Sequence, residues 1–493
     1  MLILRALLGL AFFCGVAWLM SAHKSRVNLR LVIAGIALQV LLGWMLIEGE
    51  RVIQPGEDGK AWTETLVDGT ATEHPEDPVK TKAWKKKLED EKGVLDHVSE
   101  TAVTLLSFGE VGAEMVFGPL TGFYHEPAWD KKAEDPKVPP AELSFYTAYP
   151  FHLSAEENPG RSGIVSLGLK GLTTIIYFSA LMAILYYLGV MQRIIWVFAK
   201  VMTKLLGVSG AESLAMSANV FVGQTEAPLV VKPYVKTMTK SELMALMTGG
   251  FATIAGSVLA VYIGILGEEF AGHLLAASFM SAPAAFVLAK IMVPETEVST
   301  TAGLVNMAKV DDPDGPTNLI DAAARGIGDG LSLFLNVLAM LIGFVALVAL
   351  INHFLGFIDL GVNELTGEAL PLSLGRIFGY IFAPVAWLMG VQGWSECQSF
   401  GTLLGTKIGV NEFVAFGDLA RMKTEGALNP RHAKMAAYAL CGFANFASIG
   451  IQLGGISPLA PERRGQIAKF ALKAMLGGAF ASWMTATIAG MFL

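Results

Sequence analysis

The sequence predicts an all-α polytopic membrane protein with about eight transmembrane helices, in which two opposed re-entrant hairpins and two broken helices form an inverted repeat. Three observations lead there. The chain of 493 residues is 53% hydrophobic and only 16% charged, with a mean hydropathy of +0.52, a balance foreign to soluble globular domains. Apolar runs of about 20 residues, enough to cross a hydrocarbon layer of roughly 30 Å, lie near 4–22, 29–47, 166–190, 242–265, 270–293, 328–352, 430–453 and 466–491. Finally, one order of elements, with polar and glycine-broken stretches at membrane depth, occurs twice.

Charge and motif content narrow the function. The net charge of −7 is spread over polar loops. Nothing basic enough for nucleic acid stands out, so the lipid bilayer, and not nucleic acid, is the expected surrounding. Cys14, Cys397 and Cys441 lie in or beside apolar segments and draw neither a disulfide framework nor a CxxC metal site. The eight histidines contain no HExxH, and no nucleophile is paired with a base, so neither an enzyme nor an organic cofactor is expected.

Residues 1–47 read as two N-terminal transmembrane helices. Arg5 before the first apolar run resembles the start of a signal peptide, but Met20 and Ala22 before His23 make no small-x-small cleavage site, so the run is a span. The next loop, "SAHKSRVNLR", carries Lys24, Arg26 and Arg30 against Arg5 upstream, which places it in the cytoplasm and the N-terminus outside. Alternation then puts Arg193, Lys200 and Lys204 inside, and also Arg463, Arg464 and Lys469; Arg421, Lys423, Arg431 and Lys434 dissent from the outer side. The protein is thus expected to be multi-pass in the cytoplasmic (inner) membrane.

Residues 48–165 form a polar region that alternation makes extracytoplasmic. Its mixed charges and prolines, as in "PAWDKKAEDPKVPP", predict exposed loops and short helices. Within it "VSETAVTLLSFGEVGAEMVFGPL" is apolar enough to lie along the membrane surface. The lysines around 80–92 read as a solvated helix face.

From Ser209 to Lys240 the chain is too polar at its middle, and too broken by Gly223 and Pro228, for an ordinary span. It reads as two half-helices meeting at "GQTEAP", which enter and leave on the side carrying Lys204, Lys232, Lys236 and Lys240. Irregular backbone at membrane depth is tolerated only against protein or a water-filled cavity, so a cavity is implied. An intramembrane carboxylate such as Glu226 costs several kcal/mol and is a functional candidate for that reason.

A second stretch, "GTLLGTKIGVNEFVAFGDL", repeats the design, bringing Asn411 and Glu412 between short apolar pieces, with Gly405 and Gly409 expected to loosen the backbone. An amphipathic piece precedes each hairpin, "MQRIIWVFAKVMTKLL" and "LSLGRIFGYIFAPVAWLMG". About thirty residues after each comes an interrupted span, "GGFATIAGSVLA" and "CGFANFASIGIQLGG". Span, surface helix, hairpin, broken span and span thus occur over 166–300 and again over 301–493, with one hairpin inside and the other outside. That is the inverted repeat of a secondary transporter whose site lies at the midplane between discontinuous elements. Two opposed hairpins would close a pore, which argues against a channel.

"GQTEAP", the G-x-K-x-x-x-NEFVA pattern met by Gly405, Lys407 and Asn411 to Ala415, "ALCGFANFASIGIQ" and "LAPERR" together resemble the concentrative nucleoside transporters, in the form of a bacterial member. The resemblance covers about 166 to 493 closely and the first two spans loosely. The long polar region departs from a minimal bacterial member. The resemblance implies a symporter of nucleosides, purine or pyrimidine, assembled as a homotrimer. It also implies that Gln224, Thr225 and Glu226 face the nucleobase with Val258 on its apolar side, while Glu412, Asn445 and Ser448 hold the ribose and Phe443 packs nearby. The chemistry agrees, since ribose hydroxyls donate well to a carboxylate and a base edge offers donors and acceptors to an amide.

Coupling requires a cation, and an unwound turn supplies the hard carbonyl oxygens that a small alkali ion needs. The family's sodium-driven members imply an ion at Asn219, Val222, Thr253 and Ile254, partly through backbone carbonyls. Asn219 and Thr253 carry oxygen-bearing side chains, which fits sodium; proton coupling is the alternative.

Overall fold

The computed structural model describes residues 2–47, 51–55, 62–66, 71–74, 97, 99–105, 174–303, 305, 315–366 and 372–493. Helices α1 (Leu2–Leu19) and α2 (Leu29–Ile47) occupy the positions of the two expected N-terminal spans, turned by Lys24–Arg26. Strands β1 (Arg51–Pro55), β2 (Trp62–Leu66) and β3 (Ala71–His74) follow as an antiparallel sheet in the order β1-β2-β3, with Arg51 opposite Leu66 and Trp62 opposite His74. This sheet corrects the expectation of loops and short helices. Val, Ile, Thr and Trp favour strands, but four or five residues between charged loops leave little periodicity to read. The expected surface helix of 98–120 is helical at 99–105. The rest of it, and the lysines around 80–92, lie outside the described residues.

The remaining elements follow the expected order. Helix α3 (Thr174–Tyr187) bends by 78° into α4 (Val190–Leu206), a corner built on Gly189, whose φ of 74° is the left-handed region that glycine enters freely. The first hairpin is α5 (Gly210–Asn219), a tip at 220–226, and the short turns α6 (Ala227–Val230) and α7 (Lys232–Val235). The first broken span is α8 (Lys240–Ala252) and α9 (Gly256–Leu266), and α10 (Ala271–Met292) closes that half. In the second half α11 (Leu319–Thr366) is the span and α12 (Leu374–Met389) the amphipathic piece. Helices α13 (Trp394–Gly409) and α14 (Glu412–Thr424) make the second hairpin, α15 (Pro430–Leu440) and α16 (Phe446–Ile456) the second broken span, and α17 (Arg464–Ala489) the last span. Four of the eight expected spans, α2, α8 with α9, α10 and α11, are by themselves long and apolar enough to cross a membrane.

Packing sorts these helices into core and rim. The apolar window of α10 is 89% buried and that of α8 with α9 is 83%, whereas none of the window in α11 is buried. Helix α17 lies along α8, α10 and α15. Capping boxes start α5, from Ser209 and Glu212, and α8, from Thr239 and Glu242, so their first amides are satisfied inside the protein. Each hairpin also anchors a first-turn glutamate within its own half. Glu212 meets Lys290 of α10 at 2.6 Å, and Glu396 meets Nδ1 of His432 of α15 at 2.6 Å. Removing one partner of a buried pair such as Glu212 and Lys290 costs about 3–5 kcal/mol, so the hairpin bases are fixed while the tips reach inward.

Two expectations about glycine need revision. Gly405 and Gly409 lie in or at the end of a continuous helix, and a Cβ on either would collide with the Phe378 ring of α12. They serve close helix packing, not a loosened backbone.

Candidate functional site

The site is built from two hairpin tips and two helix breaks that meet in the interior. The breaks touch directly. Gly442 has a φ of 120°, and a Cβ there would stand 2.7 Å from the Phe251 carbonyl oxygen and 2.8 Å from that of Ala252. Only glycine fits both the conformation and the approach. Gln452 of α16 donates from Nε2 to the Met247 carbonyl of α8 at 2.9 Å, tying the broken spans together a turn away.

A cavity of about 1360 Å³ opens at this junction. All eight residues expected to bind the nucleoside line it: Gln224, Thr225, Glu226, Val258, Glu412, Phe443, Asn445 and Ser448. Such a volume exceeds the roughly 300–1,000 Å³ of most small-molecule pockets.

In the second half, polar side chains position one another. Asn411 is the N-cap of α14, accepting from the Val414 amide at 2.8 Å, and Asn445 is the N-cap of α16, accepting from the Ser448 amide at 2.8 Å. Glu412 is the first residue of α14, 7% exposed. Its Oε2 accepts from Nδ2 of Asn445 at 2.7 Å, and its Oε1 accepts from the Tyr262 hydroxyl at 3.1 Å. Tyr262 stacks on Phe416 with ring centroids 4.1 Å apart. Two neutral donors thus fix the carboxylate, and its remaining lone pairs face the cavity at a helix N-terminus, which favours negative charge there.

The first half is left open. Neither Glu226, which precedes α6, nor Ala255, which precedes α9, makes a side-chain cap. The tip is instead tied down through its backbone: Phe221 O accepts from the Gly256 amide at 2.9 Å, and Val220 O accepts from the Ser278 hydroxyl at 3.0 Å. Gln224 is buried with Oε1 unpartnered, and Glu226 is exposed to the cavity. Behind the tip, Asn219 is 1% exposed with both Oδ1 and Nδ2 unpartnered. Among the described residues no donor reaches the carbonyls of Val222, Thr253 or Ile254, and the Thr253 hydroxyl donates to Gly249 O at 3.0 Å. The four residues expected at the ion therefore lie at one tip and one break; Val222 touches the cavity and the other three lie behind its wall.

Sequence reasoning missed part of the wall. Tyr262 was legible as the lone hydroxyl-bearing residue in the apolar body of α9, "VLAVYIGIL". The far wall comes from α3, with Tyr186, and from α11, with Arg325, Asp329 and Asn336. The spacings of four and seven put those three α11 residues on one helix face, a pattern visible in the sequence once the helix is placed.

Comparison with known proteins gives the family and the fold. Residues 8–68 match the family described as Na+ dependent nucleoside transporter N-terminus, 169–269 match the one described as nucleoside recognition, and 273–490 match Na+ dependent nucleoside transporter C-terminus. The chain is 36% identical to an uncharacterized transporter of Haemophilus influenzae, over 100% of this chain and 98% of that protein. It is 32% identical to nucleoside permease NupC of Helicobacter pylori over 99% and 98%. Sodium/nucleoside cotransporter 1 of Rattus norvegicus is 42% identical over 65% of this chain and 50% of its own length. Among solved structures, CNTnw in an inward-facing substrate-bound state superposes with a TM-score of 0.77 at 35% identity, covering 100% of this chain and 98% of that one. With its paired hairpins, its paired breaks and relatives matched from end to end, the chain belongs to the concentrative nucleoside transporter family and is a multi-pass membrane transporter, not an enzyme.

Proposed function

We propose that this protein is a sodium-coupled symporter that imports nucleosides across the cytoplasmic membrane by alternating access. One observation carries the coupling. The carbonyls of Val222, Thr253 and Ile254, together with the unpartnered Asn219 side chain, flank the tip that presents Gln224, Thr225 and Glu226 to the cavity. A small hard cation satisfies such oxygens. A cation there joins the first hairpin to the first break, so the ion organises the surface that meets the base. Gln224, Thr225 and Glu226 read the base edge, with Val258 on its flat face. Glu412 accepts from the ribose hydroxyls, Asn445 holds it, and Ser448 and Phe443 complete that side.

The halves 166–300 and 301–493 are the moving repeats, and Lys24, Arg26, Lys200 and Lys204 set the cytoplasmic side. Dissenting cations are held by protein groups: Arg421 by Asp418 and Glu425, Lys423 by Glu269, and Arg431 by the carbonyls of Gly490 and Leu493. A homotrimer is the assembly we propose from the family, and the long apolar face of α11, uncovered in the single chain, is open to lipid and to neighbouring protomers alike. Uptake of radiolabelled uridine into vesicles, with sodium and pH gradients imposed separately, tests the coupling. Uptake driven by sodium alone is expected; uptake driven by the pH gradient alone would establish the proton-coupled alternative.

A further inference from the structure

Lys407 is a charged side chain fully buried at the second break, and its surroundings define its state. It lies in α13, three residues before the tip, with 0% exposure. Its Nζ donates to Ala439 O at 2.8 Å, to Cys441 O at 3.3 Å and to the Ser482 hydroxyl oxygen at 2.7 Å. Ser482 spends its own hydrogen on Ala479 O at 2.9 Å, so its oxygen accepts from the lysine. Two carbonyls and this hydroxyl are three acceptors. Satisfying all of them takes three N–H donors, which an ammonium has and a neutral amine lacks.

The ammonium sits where α15 ends and its last carbonyls point into the break, the end of a helix that favours positive charge. The next residues are Gly442, Phe443, Ala444 and Asn445. Asn445 holds Glu412, and Phe443 lines the cavity. At the first break the carbonyls of Thr253 and Ile254 have no such partner, and the residue just before Val222 in that hairpin is the apolar Phe221.

We propose that Lys407 is a positioning residue for nucleoside binding: its ammonium is a resident cation that fixes the second break in the shape that presents Asn445, and through it Glu412. It does in one half what an exchangeable ion does in the other. The comparison with an exchangeable ion rests on the sodium reading above; the role of Lys407 in presenting Asn445 does not.

The test measures uridine affinity of the purified full-length protein, by calorimetry in sodium and in choline buffer, for the parent and for Lys407→Met, Lys407→Ala and Lys407→Arg. Lys407→Met keeps length and removes charge, leaving three buried acceptors unpaired, and is expected to weaken uridine by about tenfold or more. Lys407→Arg keeps a cation and is expected to stay closer to the parent than Lys407→Met does. Lys407→Ala leaves the oxygens and a space, so propylammonium added to the buffer is expected to recover part of its affinity and none of that of Lys407→Met, whose side chain fills the space. Selective rescue is a readout that loss of packing would not give, and thermal unfolding of each variant identifies any that fails to fold. Lys407→Met binding uridine within about twofold of the parent, or propylammonium acting alike on the alanine and methionine variants, would overturn the proposal. Failure of the sodium reading looks different: the parent itself would bind uridine equally in both buffers while the ranking of Lys407 variants persisted.

Discussion

The two helix breaks differ in trace as well as in chemistry: the first spans three residues, 253–255, and the second five, 441–445, turning on Gly442 at a φ of 120°. Around Cys441 to Asn445 much of the backbone is engaged: Lys407 takes the carbonyls of Ala439 and Cys441, Phe443 O accepts from the Asn445 amide, Asn445 caps α16, and Asn411 caps α14 across from it. Around Thr253 to Ala255 the carbonyls of Thr253 and Ile254 have no donor, Ala255 caps nothing, and Asn219 stands buried with both polar atoms unpartnered. An unmade hydrogen bond in a buried site costs about 1–3 kcal/mol, and it is at the first break that the proposed reading places the exchangeable ion. An inverted repeat thus supplies a common order of elements while side chains set the two halves apart in chemistry.

The largest predicted effect tests the finished half. Glu412→Gln keeps the shape but loses charge-assisted bonds to the ribose hydroxyls, worth roughly 1.5–3 kcal/mol. Uridine affinity in a well-expressed variant is expected to fall about tenfold to a hundredfold at every sodium concentration. Affinity that falls only at low sodium would erase the division of labour between the halves.

A smaller effect, of a different kind, is expected at the unfinished half. Thr253→Val keeps the carbonyl and the bulk but removes the hydroxyl oxygen, whose hydrogen goes to Gly249 O and whose lone pairs stay available to the ion, so the sodium needed for half-maximal uptake should rise several-fold, about 1 kcal/mol. Nucleoside affinity should be largely recovered at saturating sodium. A loss that saturating sodium does not relieve would move Thr253 from the ion to the substrate. Smallest in mean size is Gln224→Ala, which should reorder a panel of purine and pyrimidine nucleosides in competition assays by a few-fold each. An equal loss across the panel would place Gln224 on the ribose.

Much of this was legible in the sequence because membrane burial makes polar residues informative. "GQTEAP" and "NEFVA" stand out in apolar surroundings, and the eight residues named from them and from the two broken spans share one cavity. The contacts behind that set were not legible. Tyr262 meets Glu412 across 150 residues, and Gly442 meets the Phe251 carbonyl through an approach that no local pattern encodes. Carbonyls without donors are also invisible in a sequence, since every residue carries one and only the fold decides which are used. Gly405 and Gly409 show the converse failure: glycine suggested loose backbone, but the demand came from the Phe378 ring of a neighbouring helix.

The central claim is that an ion completing the first break prepares the nucleoside site. Linkage makes this reciprocal, since sodium must lower the nucleoside dissociation constant by the factor by which nucleoside lowers that of sodium. Calorimetric titration of the purified protein with uridine, in sodium and in choline buffer at matched ionic strength, measures that factor directly. The account predicts binding about fivefold or more tighter in sodium, the lower end of typical coupling between sites. Equal affinity in the two buffers, with uptake that follows an imposed pH gradient, would contradict it.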